Sequence, residues 1–250
     1  MKLLARCLLF LATAFSLFAA DARVFELRTY TSPPGKRETL LERFAGHTLA
    51  LFEKHGMTNI AYWLPVDAAD GADDKIVYLL AHASRDAAKA SWAAFNADPE
   101  WREVAKASEA NGRIVSRVES TFLTATDYSP ALTPSVAHPP RMFELRTYTT
   151  PEGKLAELDA RFGGGETDLF AKAGMTGIGY FHPLDADKGA GHTLVYILAH
   201  KDRDAAKASW KAFSQDPEWV KMKATTEANG RLTSKIQSVF LTPTEFSPLK

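Results

Sequence analysis

The heptapeptide FELRTYT occupies residues 25–31 and returns unchanged at residues 143–149. The same offset of 118 residues aligns everything that follows the two copies, with no insertion or deletion. Three further motifs recur in this way: RDAAKASW at 85–92 and 203–210, DPEW at 98–101 and 216–219, and EANGR at 109–113 and 227–231. A unit of about 107 residues is far longer than a solenoid repeat and has the size of a small domain. The sequence therefore predicts two tandem copies of one domain.

The composition is ordinary for a globular protein and excludes several functional classes. Of 250 residues, 46% are hydrophobic, which is enough for each copy to bury a core of its own. The formal net charge is +0, and this balance argues against nucleic acid or an anionic membrane surface as a partner. The one cysteine, Cys7, lies in a segment that is predicted to be removed, so disulfide bonds and thiol catalysis are excluded from the mature protein.

The N-terminal segment has the three parts of a secretory signal peptide. Lys2 and Arg6 supply positive charge, residues 7–18 form an apolar run too short to span a bilayer, and Ala20-Asp21-Ala22 offers a cleavage site. We therefore expect a periplasmic or secreted protein without a membrane span in its mature form. Cleavage after Ala19 or Ala20, and retention of the segment as an amphipathic anchor, are the alternatives. The predicted organisation is a signal peptide (1–22), a first domain (23–130), a Pro-rich linker (131–141) and a second domain (142–250).

Each copy is predicted to have four strands and two helical regions in the order β-α-β-β-α-β, the ferredoxin-like split βαβ unit. In the first copy, strands are expected at 24–30, 58–64, 76–82 and 114–123, with a helix up to about residue 55. A second helical region begins after a cap at Ser84 or Asp86 and restarts at Asp98-Pro99-Glu100. In the second copy, Gly163-Gly164-Gly165 should bend the first helix, because glycine disfavours helical backbone.

A ferredoxin-like unit covers one face of its sheet with helices and leaves the other face open. We expect the open faces of the two copies to pack sheet to sheet, so that one chain forms an α+β barrel. The protein would then be a monomeric pseudo-dimer. Assembly into a higher oligomer is the alternative.

Several of these motifs resemble those of the NIPSNAP family. They are FELRTY at the start of the unit, a Pro-Gly-Lys turn, His-Gly-Met before the second strand and DPEW before the last strand. The resemblance covers nearly the whole mature chain, once per copy. It implies the fold of the dimeric α/β-barrel superfamily, which includes cofactor-free monooxygenases, haem-degrading enzymes and chlorite-dismutase-like haem proteins. The family has no established catalytic residues, so the resemblance implies none here.

Strand alternation divides the side chains of each sheet between two faces. We expect the aliphatic faces, such as Phe25/Leu27 and Val77/Leu79/Ala81, to lie against the helices and the polar faces to point into the barrel. The polar face of the first copy holds Glu26, Arg28, Tyr30, Tyr78 and His82, with Arg117 and Glu119. The second copy repeats it with Glu144, Arg146, Tyr148, Tyr196 and His200, with Lys235 and Gln237. In the strand order 4-1-3-2, Glu26 should lie near His82 and orient its imidazole.

The ten glutamate, arginine, tyrosine and histidine residues of the two copies are the candidate ligand-binding set. One interpretation of this set is a structural network of paired charges. The other is a site through which the barrel binds a partner or a small apolar or amphipathic ligand, in a cavity lined also by Trp63. The alternative is a small-molecule enzyme of the monooxygenase-like type, for which no catalytic residue is assigned. His82 and His200 are the only histidines shared by both copies, and without cysteine or a His-rich spacing neither a metal site nor a cofactor is predicted.

Overall fold

The structure is a computed structural model that describes residues 21–250, and the predicted signal peptide, apart from its last two residues, lies outside them. The first repeat contains β1 (Val24–Thr31), α1 (Arg37–Arg43), α2 (Leu49–Lys54), β2 (Thr58–Pro65), β3 (Lys75–His82), α3 (Arg85–Ala97), α4 (Pro99–Ser108) and β4 (Arg117–Ala125). The second repeat contains β5 (Met142–Thr149), α5 (Leu155–Arg161), α6 (Thr167–Lys172), β6 (Thr176–Pro183), β7 (Thr193–His200), α7 (Arg203–Gln215), α8 (Pro217–Thr226) and β8 (Lys235–Pro243). The β-α-β-β-α-β order of each repeat is confirmed.

The helix starts follow the capping chemistry of the sequence. The side chain of Ser84 accepts a hydrogen bond from the Ala87 N–H at the start of α3, so Ser84 rather than Asp86 is the cap. Asp98 accepts from the Glu100 N–H, and Pro99 is the first residue of α4. These contacts satisfy backbone donors that have no partner within the helix, which is why the chain breaks between α3 and α4 at this point.

Each repeat has a π-helical turn in its first helical region. The turns cover Phe44–Thr48, between α1 and α2, and Phe162–Glu166, between α5 and α6. Gly165 has a φ of 126°, so the bend predicted for the second copy is present. The first repeat widens at the same place without a run of three glycines, and the irregularity is therefore a property of the repeat.

The eight strands close into one barrel in the order β1-β3-β2-β8-β5-β7-β6-β4. Within each repeat this is the predicted order 4-1-3-2. The repeats meet at two strand pairs, in which Trp63 of β2 lies opposite Pro243 of β8 and Leu123 of β4 lies opposite Pro183 of β6. One chain thus builds the complete barrel, and each sheet covers the inner face of the other.

The faces of the sheets are the reverse of the prediction. Phe25, Val77 and Leu79 belong to a cluster that contains residues of both repeats and fills the barrel, whereas the predicted polar set lies between the sheets and the helices. An eight-stranded barrel is filled by side chains and excludes water, so ionised groups there would lack partners. The helix side supplies indole and hydroxyl donors, such as Trp92 and Ser120.

The segments after β4 and β8 cross to the opposite repeat and close the barrel. Leu132 and Leu249 belong to the buried interior cluster. The hydroxyl of Ser129 accepts the Tyr180 N–H at 3.0 Å, and that of Ser247 accepts the Tyr62 N–H at 2.9 Å. The predicted linker, residues 131–141, therefore contributes a core residue as well as a connection. Between residues 21 and 250, no helix is long and apolar enough to cross a membrane.

Candidate functional site

The predicted polar residues of the first repeat come together beneath α3. Alternation along β1 places Glu26, Arg28 and Tyr30 on the helix side of the sheet, and β3 adds Tyr78 and His82 to the same side. The second repeat brings Glu144, Arg146, Tyr148, Tyr196 and His200 together beneath α7 in the same way. Arg117 and Glu119 do not join the set, because they form an exposed ion pair of 2.6 Å on β4.

Glu26 is the centre of the first network. Its Oε2 accepts hydrogen bonds from His82 Nε2 at 3.0 Å and Trp92 Nε1 at 2.7 Å. Its Oε1 accepts from Arg28 at 2.5 Å and from the hydroxyl of Ser120 at 2.7 Å. Burial alone would raise the pKa of Glu26, but the His82 hydrogen bond and the Arg28 charge outweigh it and lower the pKa to about 2. The carboxylate is therefore ionised at neutral pH and has a donor on each of its lone-pair directions.

Arg28 links this carboxylate to the aromatic residues of the sheet. Its Nε donates to the Tyr78 hydroxyl at 2.9 Å, and its Nη2 donates to the Tyr30 hydroxyl at 3.3 Å. The guanidinium also lies 4.2 Å from the ring centroid of Trp92. All sides of the cation are thus engaged, which fixes the position of the indole as well.

The tautomer of His82 follows from its two ring nitrogens. Nε2 faces Glu26, an acceptor, while Nδ1 is buried and has no hydrogen-bond partner. A neutral ring that carries its proton on Nε2 fits this arrangement, because a second N–H would be buried without an acceptor. The same applies to His200 beside Glu144, where the distance is also 3.0 Å.

Two donors of each network were not in the predicted set. Trp92 and Trp210 come from α3 and α7, and Ser120 and Ser238 come from β4 and β8. A signal for them exists in the sequence, because all four are unchanged between aligned copies. The helical spacing of the tryptophans is typical of core residues, and that spacing does not reveal an indole N–H that faces a strand.

Ligand-binding cavities in proteins typically measure about 300–1,000 Å³. A cavity of about 620 Å³ lies over the second network. It is lined by Glu144, Arg146, Arg203, Asp204, Lys207, Trp210, Ser238 and Phe240. Arg203 is held at its rim by Asp67 of the first repeat, at 2.7 and 2.5 Å, and lies 4.6 Å from the centroid of the Phe240 ring. Lys207 forms no ion pair with any residue in the described part of the chain.

The barrel interior offers less room for a ligand than the sequence predicts. Trp63, expected to line a ligand cavity, is fully buried there and packs against Phe143 with ring centroids 5.5 Å apart. Its indole N–H has no hydrogen-bond partner. The aromatic interior side chains from both repeats and the two closing leucines occupy the space between the sheets.

The fold recurs in solved structures whose sequences differ widely from this one. A monooxygenase candidate from Lactobacillus acidophilus is similar over 89% of this chain and 94% of its own, with 8% identity and a TM-score of 0.56. An anthrone oxidase-like protein is similar over 90% of this chain and 92% of its own, with 15% identity and a TM-score of 0.56. A NIPSNAP-like domain protein from Burkholderia xenovorans matches 46% of this chain and 96% of its own, with 20% identity and a TM-score of 0.39. At such low identities the similarity to the first two structures establishes the barrel fold and says nothing about activity.

Sequence comparison is more specific about the family. No curated protein matches the sequence. The family model described as NIPSNAP matches twice in tandem, at residues 25–130 and 143–248. Each match begins at the phenylalanine that precedes the central glutamate of a network, and together they span most of the chain, which belongs to the NIPSNAP family.

Proposed function

We propose that the protein binds a small amphipathic molecule with an anionic group, in the cavity over the Glu144–Arg146 network. The observation that carries this proposal is the 620 Å³ cavity itself, which combines aromatic walls with a cationic rim. Trp210 and Phe240 supply apolar surface for the body of the ligand, and Lys207 supplies a charge for its anionic end.

The network beneath the cavity has a supporting role in this proposal. Glu144 accepts hydrogen bonds from His200, Trp210, Arg146 and Ser238, so it has no free position for a ligand. Arg146 lies 4.1 Å from the Trp210 ring centroid and holds that wall in place. Binding sites gain affinity when the groups that line them are fixed beforehand, and this network fixes one wall of the cavity.

The first repeat has the same residues but a different cover. Arg85, the counterpart of Arg203, lies 3.9 Å from the Phe122 ring centroid and forms a single contact of 2.8 Å with Asp185. Arg203 forms two contacts with Asp67 and lies further from the Phe240 ring centroid, at 4.6 Å. This difference supports the assignment of the ligand to the second repeat.

A pair of fluorescent probes tests the charge and the place of binding. We expect 1-anilinonaphthalene-8-sulfonate to bind more tightly than its neutral analogue N-phenyl-1-naphthylamine. Lys207→Met should weaken sulfonate binding by about two- to fivefold, the range of one partly exposed ion pair, and leave the neutral probe unaffected. Lys89→Met, the matched change in the first repeat, should behave like the parent. Equal effects of both lysine variants would contradict the assignment to the second repeat, and no effect of Lys207→Met would contradict the proposal.

We also propose that this binding takes place outside the cytoplasm, on the basis of the charged start, short apolar run and A-x-A site of residues 1–22. Intact-mass measurement on periplasmic material should show the loss of about 19–22 residues. A full-length protein confined to the cytosolic fraction would contradict export and would leave the ligand-binding proposal to be judged by the probe titrations.

A further inference from the structure

Three neighbouring positions differ together between the repeats. Against the sheet of the first repeat they are Leu41, Leu64 and Phe246, which crosses over after β8, and all three pack on the apolar cluster on the helix side. At the aligned positions the sheet of the second repeat has Asp159, His182 and Tyr128, which crosses over after β4. The three side chains come from α5, from β6 and from the segment after β4, so they are distant in sequence and adjacent only in the fold.

The replacement creates a hydrogen-bonded cluster. The hydroxyl of Tyr128 donates to Asp159 Oδ1 at 2.7 Å, and His182 Nε2 lies 3.0 Å from the same oxygen. Burial and the hydrogen bond to Asp159 raise the pKa of Tyr128, so the phenol keeps its proton and remains a donor. Both contacts fall on one carboxylate oxygen, and among the described residues none donates to Asp159 Oδ2.

The fold does not require this cluster. The first repeat forms the same strands, helices and π-helical turn with three apolar side chains at these positions. Replacing them by a carboxylate and an imidazole that are each about one quarter exposed, and by a phenol, loses apolar burial without changing the architecture. Three such changes at contacting positions point to a role other than packing.

Two cavities flank the cluster, and Tyr128 lines both of them. One of about 450 Å³ has Asp127, Tyr128, Gly177 and Tyr180 in its lining. The other, of about 350 Å³, is lined by Asp127, Tyr128, Asp159, Ala160 and Gly163. Neither lining contains an arginine or a lysine, and each contains at least one carboxylate.

A second exchange between the repeats leaves a buried phenol without a partner beside the larger cavity. In the first repeat the hydroxyl of Tyr62 donates to Asn59, which in turn donates to the Leu49 carbonyl. The second repeat has Gly177 in place of Asn59, and a Cβ there would collide with the Tyr180 hydroxyl. Tyr180 is 2% exposed, and in the described part of the chain its hydroxyl forms no hydrogen bond. Tyr180 lines the larger cavity, so a hydroxyl with no partner in the protein is placed where a bound ligand could reach it.

We propose that the Tyr128–Asp159–His182 cluster and its two cavities bind an organic cation, a primary amine with an aromatic or apolar tail. Tyr128 and His182 hold Asp159 through Oδ1, which leaves Oδ2 for an ammonium group, and Asp127 adds a second carboxylate. The Tyr180 hydroxyl accepts a further ammonium hydrogen or a donor on the tail. The rings of Tyr128 and Tyr180, with centroids 5.6 Å apart, provide the aromatic surface that cations and planar tails prefer.

Three indole derivatives of similar size and different charge test this proposal on the full chain by isothermal titration calorimetry. Tryptamine should bind at least about tenfold more tightly than the neutral alcohol tryptophol, and the anion indole-3-propionate should not bind. Tryptamine affinity that is absent, or no better than that of tryptophol, would overturn the proposal.

Two variants locate the site. Asp159→Asn keeps an acceptor for Tyr128 and His182 but removes the charge, and it should weaken tryptamine about tenfold while leaving tryptophol unchanged. The triple variant Tyr128→Phe, Asp159→Leu, His182→Leu restores the residues of the first repeat, which pack in this fold, so it should fold and lose the preference for tryptamine. Its binding of 1-anilinonaphthalene-8-sulfonate should match the parent, because that cavity lies in another part of the repeat. Parent-like tryptamine binding by either variant would overturn the proposal.

Discussion

In both repeats a buried glutamate on the first strand accepts hydrogen bonds from a histidine, a tryptophan, an arginine and a serine, and the corresponding distances differ by 0.1 Å or less. The arginine at the end of the first helix of each repeat has different carboxylate partners in the two repeats. Arg161 contacts Glu166 at 2.8 Å and Glu227 at 3.1 Å. Arg43 has threonine in place of that first glutamate, lies 3.6 Å from Glu109, and has a buried Nε without a partner.

This comparison distinguishes contacts that the barrel requires in both repeats from contacts that differ between the repeats. Both repeats must form the same four-stranded sheet, and the glutamate network that ties β1 or β5 to a helix is kept in both. The surroundings of the helix-end arginine, and the cluster around Asp159, differ although the order and lengths of the strands and helices do not. The glutamate network therefore marks what the fold requires of both repeats, and the positions around Asp159 mark places where one repeat differs without a change of fold.

The largest effect is expected from separating the repeats. An isolated fragment of residues 23–130 would expose the barrel face of its sheet, including Phe25, Leu79 and Leu123, which are buried in the intact chain. We expect it to form a homodimer or to aggregate, because an apolar face of this size is rarely left in water. Light scattering on this fragment and on residues 142–250 measures the effect. A well-behaved monomer of either fragment would contradict the mutual covering of the sheets.

Breaking the retained network should be costly to the same extent in either repeat. Arg28→Met and Arg146→Met each leave a buried carboxylate without its cation, which typically lowers the free energy of unfolding by about 3–5 kcal/mol. His82→Gln is the control, because glutamine can still donate to Glu26, and its cost should be about 1 kcal/mol. Urea unfolding followed by circular dichroism gives these values. A parent-like Arg28→Met or Arg146→Met would show that the network is not required in that repeat.

The divergent arginine site should give the second repeat its own pH dependence. Burial raises the pKa of Glu166 from 4.5 to about 7, against the charge of Arg161. The folded state then binds more protons than the unfolded state, so this contribution is fully present below pH 4.5 and is lost as the pH rises to about 7. The unfolding free energy should fall by about 3 kcal/mol across this window.

Glu166→Gln should remove this decline in the unfolding free energy. It should leave unchanged the separate loss of stability at acidic pH. The low pKa values of Glu26 and Glu144, about 2, give stability that is present above pH 4.5 and is lost as the pH falls to about 2. Unfolding free energies measured from pH 3 to 8 on the parent and the variant separate the two limbs. A variant that retains the decline between pH 4.5 and 7 would assign it to another group.

The smallest effect is expected from removing the serine donors of the two networks. Ser120→Ala and Ser238→Ala each remove one hydroxyl donor from an ionised glutamate and should cost about 1–2 kcal/mol. The two sites lie in different repeats and share no contact, so the double variant should show the sum of the single losses. Urea unfolding of the three variants is the measurement, and unequal single losses would show that the networks have different strengths despite their matching distances.

Local patterns in the sequence account for much of the fold. Ser84 and Asp98 cap helices because their side chains reach backbone N–H groups a few residues ahead. Pro99 fits the first helical position because no backbone N–H is needed there. The contact between Glu26 and His82 follows from strand order and alternation, which place both on one side of neighbouring strands. Each of these relations depends on a few residues of one repeat.

The candidate sites were less accessible from the sequence. The sequence does not indicate Lys207 as a binding residue, because the pattern of a helix does not show which of its lysines borders a cavity. Tyr128, Asp159 and His182 are distant in the sequence, and a position-by-position comparison of the repeats would have singled them out only as three unconnected differences. Tyr128 reaches Asp159 because the segment after β4 crosses to the other repeat, and His182 reaches it because β6 lies beside α5 in the fold.

The sequence by itself determined that one domain occurs twice, that each copy has the split βαβ order, and which side chains share a face of a strand, since repetition and alternation are properties of the chain alone. Only the tertiary structure decided which face points inward. Alternation is symmetrical, and the choice depends on partners from elsewhere: Trp92 and Ser120 offer Glu26 its donors on the helix side, whereas the barrel offers apolar side chains from the other repeat. A charged group is stable where distant residues supply hydrogen bonds, and their position is set by the folded chain.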